Sequence, residues 1–161
     1  MIIIKEIIPY LIIVLIVMTI RTFIFTPIIV DGESMAPTLD GGELMILKKY
    51  DTSYERFDIV VVNKSVEGDN LIKRVIALPG EVIRYKGNRL YINDEIIEDI
   101  YAYGETENFQ EIKLGEDEYF LMGDNREVSK DSRTLGIIKK REIEGTVGIV
   151  LDPFKKFGKV K

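Results

Sequence analysis

The chain has 161 residues and a formal net charge of −5, with 46% hydrophobic and 30% charged side chains. This balance is typical of a folded protein and not of a disordered one, and the acidic excess argues against a nucleic-acid-binding protein. The sequence contains no histidine and no cysteine, which excludes a Ser-His-Asp triad, a Cys-His dyad, a disulfide and the usual His or Cys zinc site. We therefore expect no metal, no other cofactor and no nucleic-acid partner.

An almost wholly apolar segment runs from Ile7 to Ile20 and ends at Arg21. A bilayer core requires about 20 apolar residues in a helix, and the arginine can lengthen the span by reaching to the interface. A buried core helix and a cleaved signal peptide are the alternatives. A segment that is apolar on every face suits lipid better than the edge of a small domain, and no small residues of a cleavage site follow it closely. The sequence predicts an uncleaved membrane anchor over residues 1–26 and one domain over residues 27–161.

After this segment the pattern changes to short β-branched or aromatic runs bounded by turn residues. The predicted strands are Leu44–Leu47, Ile59–Val62, an apolar run around Lys73, Glu81–Tyr85, Arg89–Ile92, Tyr119–Met122 and Val147–Val150. Many short strands without a second long helix predict a mainly β fold, a compact barrel-like or sandwich-like domain of mostly antiparallel strands. We expect a long loop over Ile100–Gln110 and a solvated, frayed terminus over Phe154–Lys161.

Ser34 and Lys73 are the candidate reactive pair. A serine hydroxyl becomes a nucleophile when a base takes its proton, and without histidine the obvious base is Lys73. Lysine can act in this way only when it is neutral, and burial without a counter-charge favours the neutral amine. Strand alternation places Lys73 beside Leu71 and Val75, inside an apolar run, whereas Arg74 would face the other side, in solvent or in a structural ion pair. Taken singly, the two residues would be a turn serine and an edge-strand lysine.

A third segment, residues 122–133, follows an apolar strand and is rich in glycine, acids, arginine and serine. A solvated turn or a calcium loop would also fit this composition, although the EF-hand spacing is not met. A hydrogen-bonded scaffold beside an active group fits better, because a catalytic lysine needs partners that orient it without stabilising its charge.

Together these segments resemble type I bacterial signal peptidases, the membrane-bound Ser/Lys endopeptidases of family S26. The resemblance runs from the end of the apolar segment almost to the C-terminus. It rests on four blocks in the family's order: Ser34–Thr38, Arg56–Val61, Lys73–Gly80 and Gly123–Arg133. Phe57 stands where the family usually has glycine. The short chain is similar to the compact Gram-positive-type members, which lack a large inserted domain.

The resemblance implies a role for each matched residue of the reaction centre. Ser34 would be the nucleophile and Lys73 the general base. Ser129 would hydrogen-bond the lysine amine, while Asp131 and Arg133 would form a supporting ion pair behind the site.

The resemblance also implies how the substrate is held. The backbone N–H of Ser34 would bind the oxyanion, and Gly32 stands where some relatives supply a serine hydroxyl as a second donor. Val30 and Ile72 match positions that line the shallow S1 and S3 pockets, which accept small side chains. The implied function is removal of signal peptides from secretory preproteins after Ala-X-Ala sites, through an acyl-enzyme. The enzyme would be a single-pass membrane protein, with its β domain outside the cytoplasm and near the secretion translocase.

Three alternatives remain open. A LexA-type self-cleaving repressor shares the Ser/Lys chemistry, but an N-terminal anchor in place of a helix-turn-helix argues against it. A membrane-tethered β module could bind exported peptides without cutting them, although an inactive relative would be expected to lose Ser34 or Lys73. A metal-dependent site would be sensitive to chelators.

Overall fold

The computed structural model describes residues 2–63, 70–152 and 156–159. The apolar N-terminal segment forms helix α1, Ile2–Phe23. Within it, Glu6–Phe23 has a mean hydropathy of 2.0, and none of this window is buried against the rest of the protein. At about 1.5 Å per residue, α1 is about as long as the roughly 30 Å hydrocarbon core of a bilayer. Length and composition therefore allow α1 to cross a membrane, as the sequence predicts.

The remainder of the described chain is an antiparallel β domain. Its strands are β1 Phe25–Ile29, β2 Leu44–Lys48, β3 Ile59–Val62, β4 Leu71–Ala77, β5 Val82–Lys86, β6 Arg89–Ile92, β7 Glu95–Ile97, β8 Phe109–Lys113, β9 Glu118–Met122, β10 Ile138–Lys139, β11 Ile143–Asp152 and β12 Lys156–Lys159. The larger sheet has the order β1-β2-β11-β3-β4-β9-β10, with β12 also paired to β11, and the smaller sheet has the order β7-β6-β5-β8. A short helix α2, Ser132–Leu135, and a 3-10 turn, Lys140–Glu142, precede β11. The mainly β fold predicted from the sequence is confirmed.

Two local predictions need correction. The predicted loop over Ile100–Gln110 ends at residue 108, because Phe109 begins β8 and its ring packs on the core of the smaller sheet. The predicted frayed tail is wrong for Lys156–Lys159, which pair with residues 149–152 of β11 as β12. The other tail positions, 154, 155, 160 and 161, lie outside the described residues.

Strand β4 is the element that brings the candidate site together. Its first half pairs with β3, with Lys73 opposite Val60, and its second half also pairs with β9 from Arg74 onward. Six of its seven residues are buried. The sheet therefore holds Lys73 from one side and leaves the other side of Leu71–Lys73 without a paired strand among the described residues.

Candidate active site

Ser34 lies in the turn that follows β1. Gly32 has a φ of +83°, a left-handed conformation that glycine adopts without steric cost. The turn closes through the bond from Ala36 N to Glu33 O at 3.1 Å. Met35, 1% exposed, anchors the turn in the core. The nucleophile candidate is thus held next to a buried side chain and not on a loose loop.

The structure brings Lys73 to this serine. Lys73 Nζ lies 2.8 Å from Ser34 Oγ and donates to the Ile72 carbonyl oxygen at 3.1 Å. Lys73 is only 4% exposed, so it is not an edge-strand lysine pointing to water. Burial disfavours the charged form of an amine. The distance allows direct proton transfer between hydroxyl and amine.

The loop after β9 packs directly on the serine turn. Asn125 N donates to the Ser34 carbonyl oxygen at 3.1 Å. A Cβ built on Gly123 would overlap both the Ser34 carbonyl oxygen and Ser129 Oγ. Only glycine therefore allows the backbone of this loop to come so close to Ser34.

Ser129 lies beside this contact. Its Oγ is buried and makes no hydrogen bond of standard geometry among the described residues, although its proximity to the Asp131 carboxylate contributes to lowering the pKa of that group. The bond to the Lys73 amine that the resemblance implies stays a prediction. Its backbone N–H donates to Asn125 O at 3.1 Å, which closes the loop.

Asp131 and Arg133 form an ion pair behind the loop. Asp131 Oδ1 accepts from Arg133 Nε and Oδ2 from Arg133 Nη2, each at 2.8 Å. Asp131 also accepts from Gly123 N at 3.0 Å and caps α2 through Arg133 N. Burial would raise the pKa of Asp131, but the hydrogen bonds from Arg133 and Gly123 outweigh it and hold that pKa below its usual value.

A cleft of about 370 Å³ opens over Ser34 and Lys73. Residues 31–34 and 70–73 form its walls, and Val128 and Lys130, from the loop after β9, form one rim. Ile72 lines this cleft. Val30 does not, but it is 4% exposed and packs with Ile72 in the same buried cluster. Within the described residues no group of three or more acidic side chains is arranged to hold a metal.

Comparison with known proteins gives the family. A family model described as signal peptidase, peptidase S26, matches residues 3–151. The chain belongs to this family. Signal peptidase I of Bacillus amyloliquefaciens is 39% identical over 163 residues, which covers 92% of this chain and 87% of that protein. Signal peptidase I S of Bacillus subtilis strain 168 is 38% identical over 164 residues, covering 91% and 87%.

A solved signal peptidase has the same fold. The crystal structure of a signal peptidase I from Enterococcus faecalis V583 matches with a TM-score of 0.53 and 33% identity, covering 58% of this chain and 96% of that chain. Together with helix α1, membership of the signal peptidase family indicates single-pass membrane anchoring.

Sequence reasoning did not identify one ionic pair of this signal peptidase. Arg74 donates to both carboxylate oxygens of Asp124, at 2.7 and 2.6 Å, and the side chains of both residues are fully buried. Alternation along β4 indicated that Arg74 faces away from Lys73, in solvent or in a structural ion pair, but gave no partner. Its partner lies 50 residues later, so no local pattern connects the two.

Proposed function

We propose that this chain is a membrane-anchored signal peptidase I that uses Ser34 as nucleophile and Lys73 as general base to cleave secretory preproteins after small-X-small sites such as Ala-X-Ala. The observation that carries this proposal is the 2.8 Å distance between Lys73 Nζ and Ser34 Oγ, two atoms from residues 39 positions apart. Family membership supplies the substrate class, since the matched proteins are signal peptidases.

The first half of the reaction acylates the serine. As Ser34 Oγ attacks the carbonyl carbon of the scissile peptide bond, neutral Lys73 takes the hydroxyl proton. The C–N bond then breaks, the ammonium gives its proton to the leaving amine, and the signal peptide remains as an ester on Ser34. In the second half a water molecule gives a proton to Lys73 and attacks the ester. The signal peptide leaves as an acid, and Ser34 regains its proton.

The surroundings of the pair would assist these steps. The Ser34 backbone N–H would stabilise the oxyanion, and Gly32 offers no side-chain donor beside it. Ser129 would supply its hydroxyl to the lysine amine during the reaction, because a buried polar atom without a partner beside a reactive group is typical of a functional position. Asp131 and Arg133 would hold the loop that carries Ser129.

The substrate would bind as an extended strand. The described part of β4 leaves Leu71–Lys73 without a neighbour on the side facing the cleft. Main-chain hydrogen bonds to this edge and to residues 28–32 would hold the peptide. Ile72 in the cleft wall and Val30 beside it would leave room for small side chains only, which is the preference expected of S1 and S3.

The division of the chain follows the same proposal. Residues 1–26 would form the anchor in the bilayer and residues 27–161 the catalytic domain, on the extracytoplasmic side of the membrane near the translocase. Preproteins reach that side as extended chains, in the conformation that the free edge of β4 requires.

The decisive experiment incubates the full chain in detergent with a model preprotein and sequences the new N-terminus. Ser34→Ala and Lys73→Met should abolish cleavage with the fold retained. The matched control is Lys86→Met, which removes an exposed lysine at the end of β5, outside the cleft, and should cleave normally. Undiminished processing by purified Lys73→Met would refute the catalytic assignment. A wild-type chain that binds the preprotein but never cuts it would favour the non-catalytic β module instead.

A further inference from the structure

The segment 99–106 connects β7 and β8 of the smaller sheet and runs beside the loop that contacts Ser34. Tyr103 N donates to Asp124 O at 2.8 Å, and Arg126 N donates to Tyr103 O at 2.9 Å. These bonds form a parallel bridge in which Tyr103 lies opposite Asn125. The 99–106 segment therefore fixes the backbone of residues 124–126 from the side away from Ser34.

Side chains at both ends of the segment strengthen this contact. Arg126 Nη2 lies 2.7 Å from Asp99 Oδ2, with the arginine side chain fully buried and the carboxylate 4% exposed. Arg126 also donates to Thr106 Oγ1 at 3.2 Å. Gly104 lies against the side chain of Glu127 and has a φ of +83°, a conformation that favours glycine. The other guanidinium nitrogens of Arg126 donate to Gly123 O and Tyr85 Oη, so the ion pair joins the segment to the 123–126 loop through several contacts.

The middle of the segment covers the ion pair behind Lys73. The ring of Tyr101 lies 3.6 Å from the Arg74 guanidinium carbon, in a cation–π contact, and 5.4 Å from the ring of Phe57. Phe57 has a φ of +71°, which is uncommon for a bulky side chain. In this conformation the carbonyl oxygen of Phe57 accepts a hydrogen bond from Arg74 at 2.7 Å. Two aromatic rings thus close the face of β4 opposite the cleft.

We propose that the 99–106 segment is a positioning element for the catalytic pair, with Tyr101 and Tyr103 as its positioning residues. This inference rests on the proposed function of Ser34 and Lys73. The segment lines no part of the cleft. Its influence passes along two short paths. One runs from Tyr103 through the 124–126 backbone to the bond from Asn125 N to Ser34 O. The other runs from Tyr101 through Arg74 to its chain neighbour Lys73.

Two matched pairs of variants of the full chain test this role. Tyr101→Leu removes the aromatic cover of Arg74, whereas Tyr101→Phe keeps it. Tyr103→Pro removes the N–H that donates to Asp124, whereas Tyr103→Ala keeps that bond and loses only an exposed ring. We expect kcat to fall about tenfold to a hundredfold in the Leu and Pro variants, because small displacements of reacting groups cost this much. KM should stay near the wild-type value, since the cleft walls are untouched, and the Phe and Ala variants should behave as wild type.

The pH dependence separates positioning from a general loss of stability. A loosened β4 admits water to the Lys73 amine, so the rise of kcat/KM should move to higher pH in Tyr101→Leu and not in Tyr101→Phe. Melting curves identify a temperature at which each variant is folded, and activity is measured below it. If Tyr101→Leu does not fold, the comparison of Tyr103→Pro with Tyr103→Ala tests the inference. Unchanged kcat in both Tyr101→Leu and Tyr103→Pro, or equal losses within each matched pair, would overturn the inference. A wild-type chain without peptidase activity would instead refute the proposed function.

Discussion

Gly123 offers the sharpest test of the geometry around Ser34. In Gly123→Ala the new Cβ would lie closer than 3.0 Å to the Ser34 carbonyl oxygen, a separation that real Cβ atoms essentially never show. The serine backbone or the loop must therefore move by roughly half an ångström or more, and displacement on this scale costs up to about a hundredfold in rate. Overpacking should also lower the free energy of unfolding by about 1–3 kcal/mol.

The assay is preprotein cleavage by the detergent-solubilised chain, with kcat/KM measured well below the melting temperature of each variant. Gly158→Ala is the matched control, because a Cβ there meets no atom within 4 Å and the position is exposed. We expect the control to retain wild-type activity. If Gly123→Ala cleaved within about threefold of wild type at unchanged stability, the close packing of this loop on Ser34 would have no functional meaning.

Three further predictions concern charge. Asp124→Asn breaks the buried pair with Arg74 and should lower the free energy of unfolding, measured by chemical denaturation, by about 3–5 kcal/mol. As a control, Asp94→Asn breaks the exposed pair with Arg84 and should change the same free energy by less than about 1 kcal/mol. Because the pKa of Asp131 is lower in the folded than in the unfolded chain, its carboxylate stabilises the fold at pH values above the unfolded pKa, and this stabilisation is lost as the pH falls through the folded pKa. The melting temperature of Asp131→Asn should therefore lie below that of the wild type at neutral pH and approach it below about pH 4. Cleavage should rise from neutral to alkaline pH as the Lys73 ammonium loses its proton, and a flat profile from about pH 6 to 9 would contradict a lysine base.

The candidate reactive pair was predicted from a combination of segments and from the family resemblance that they carry, because singly Ser34 would be a turn serine and Lys73 an edge-strand lysine. The absence of histidine and the apolar run around Lys73 pointed to these two residues. Helix α1 and the strands with clear β-branched runs carry a local signal of their own, since hydrophobic periodicity is a property of neighbouring residues. What remained open was whether the two side chains meet, and the structure places their reactive atoms 2.8 Å apart.

Strands without a strong local pattern were harder to find. β12 and β1 gain their order from pairing with β11 and β2, and not from their own sequences. The predicted loop over 100–110 has a polar composition, which does not reveal that the Tyr103 backbone bonds to residues 124 and 126 and that the Tyr101 ring packs on Arg74 of β4. Such contacts depend on backbone bonds between distant segments, which side-chain composition does not report.

The sequence by itself determined the apolar N-terminal helix and the β class of the domain, because composition and periodicity specify these locally, and its short motifs indicated Ser34 and Lys73 as the candidate reactive pair. Only the tertiary structure decided that Arg74 is fully buried against Asp124, that Gly123 must lack a side chain beside Ser34, and that the buried Ser129 hydroxyl makes no hydrogen bond of standard geometry among the described residues. The physical reason is that these contacts join residues that are far apart in the sequence. Each of these features depends on atoms that come together only when the strands pair, across separations at which the sequence carries no periodic signal.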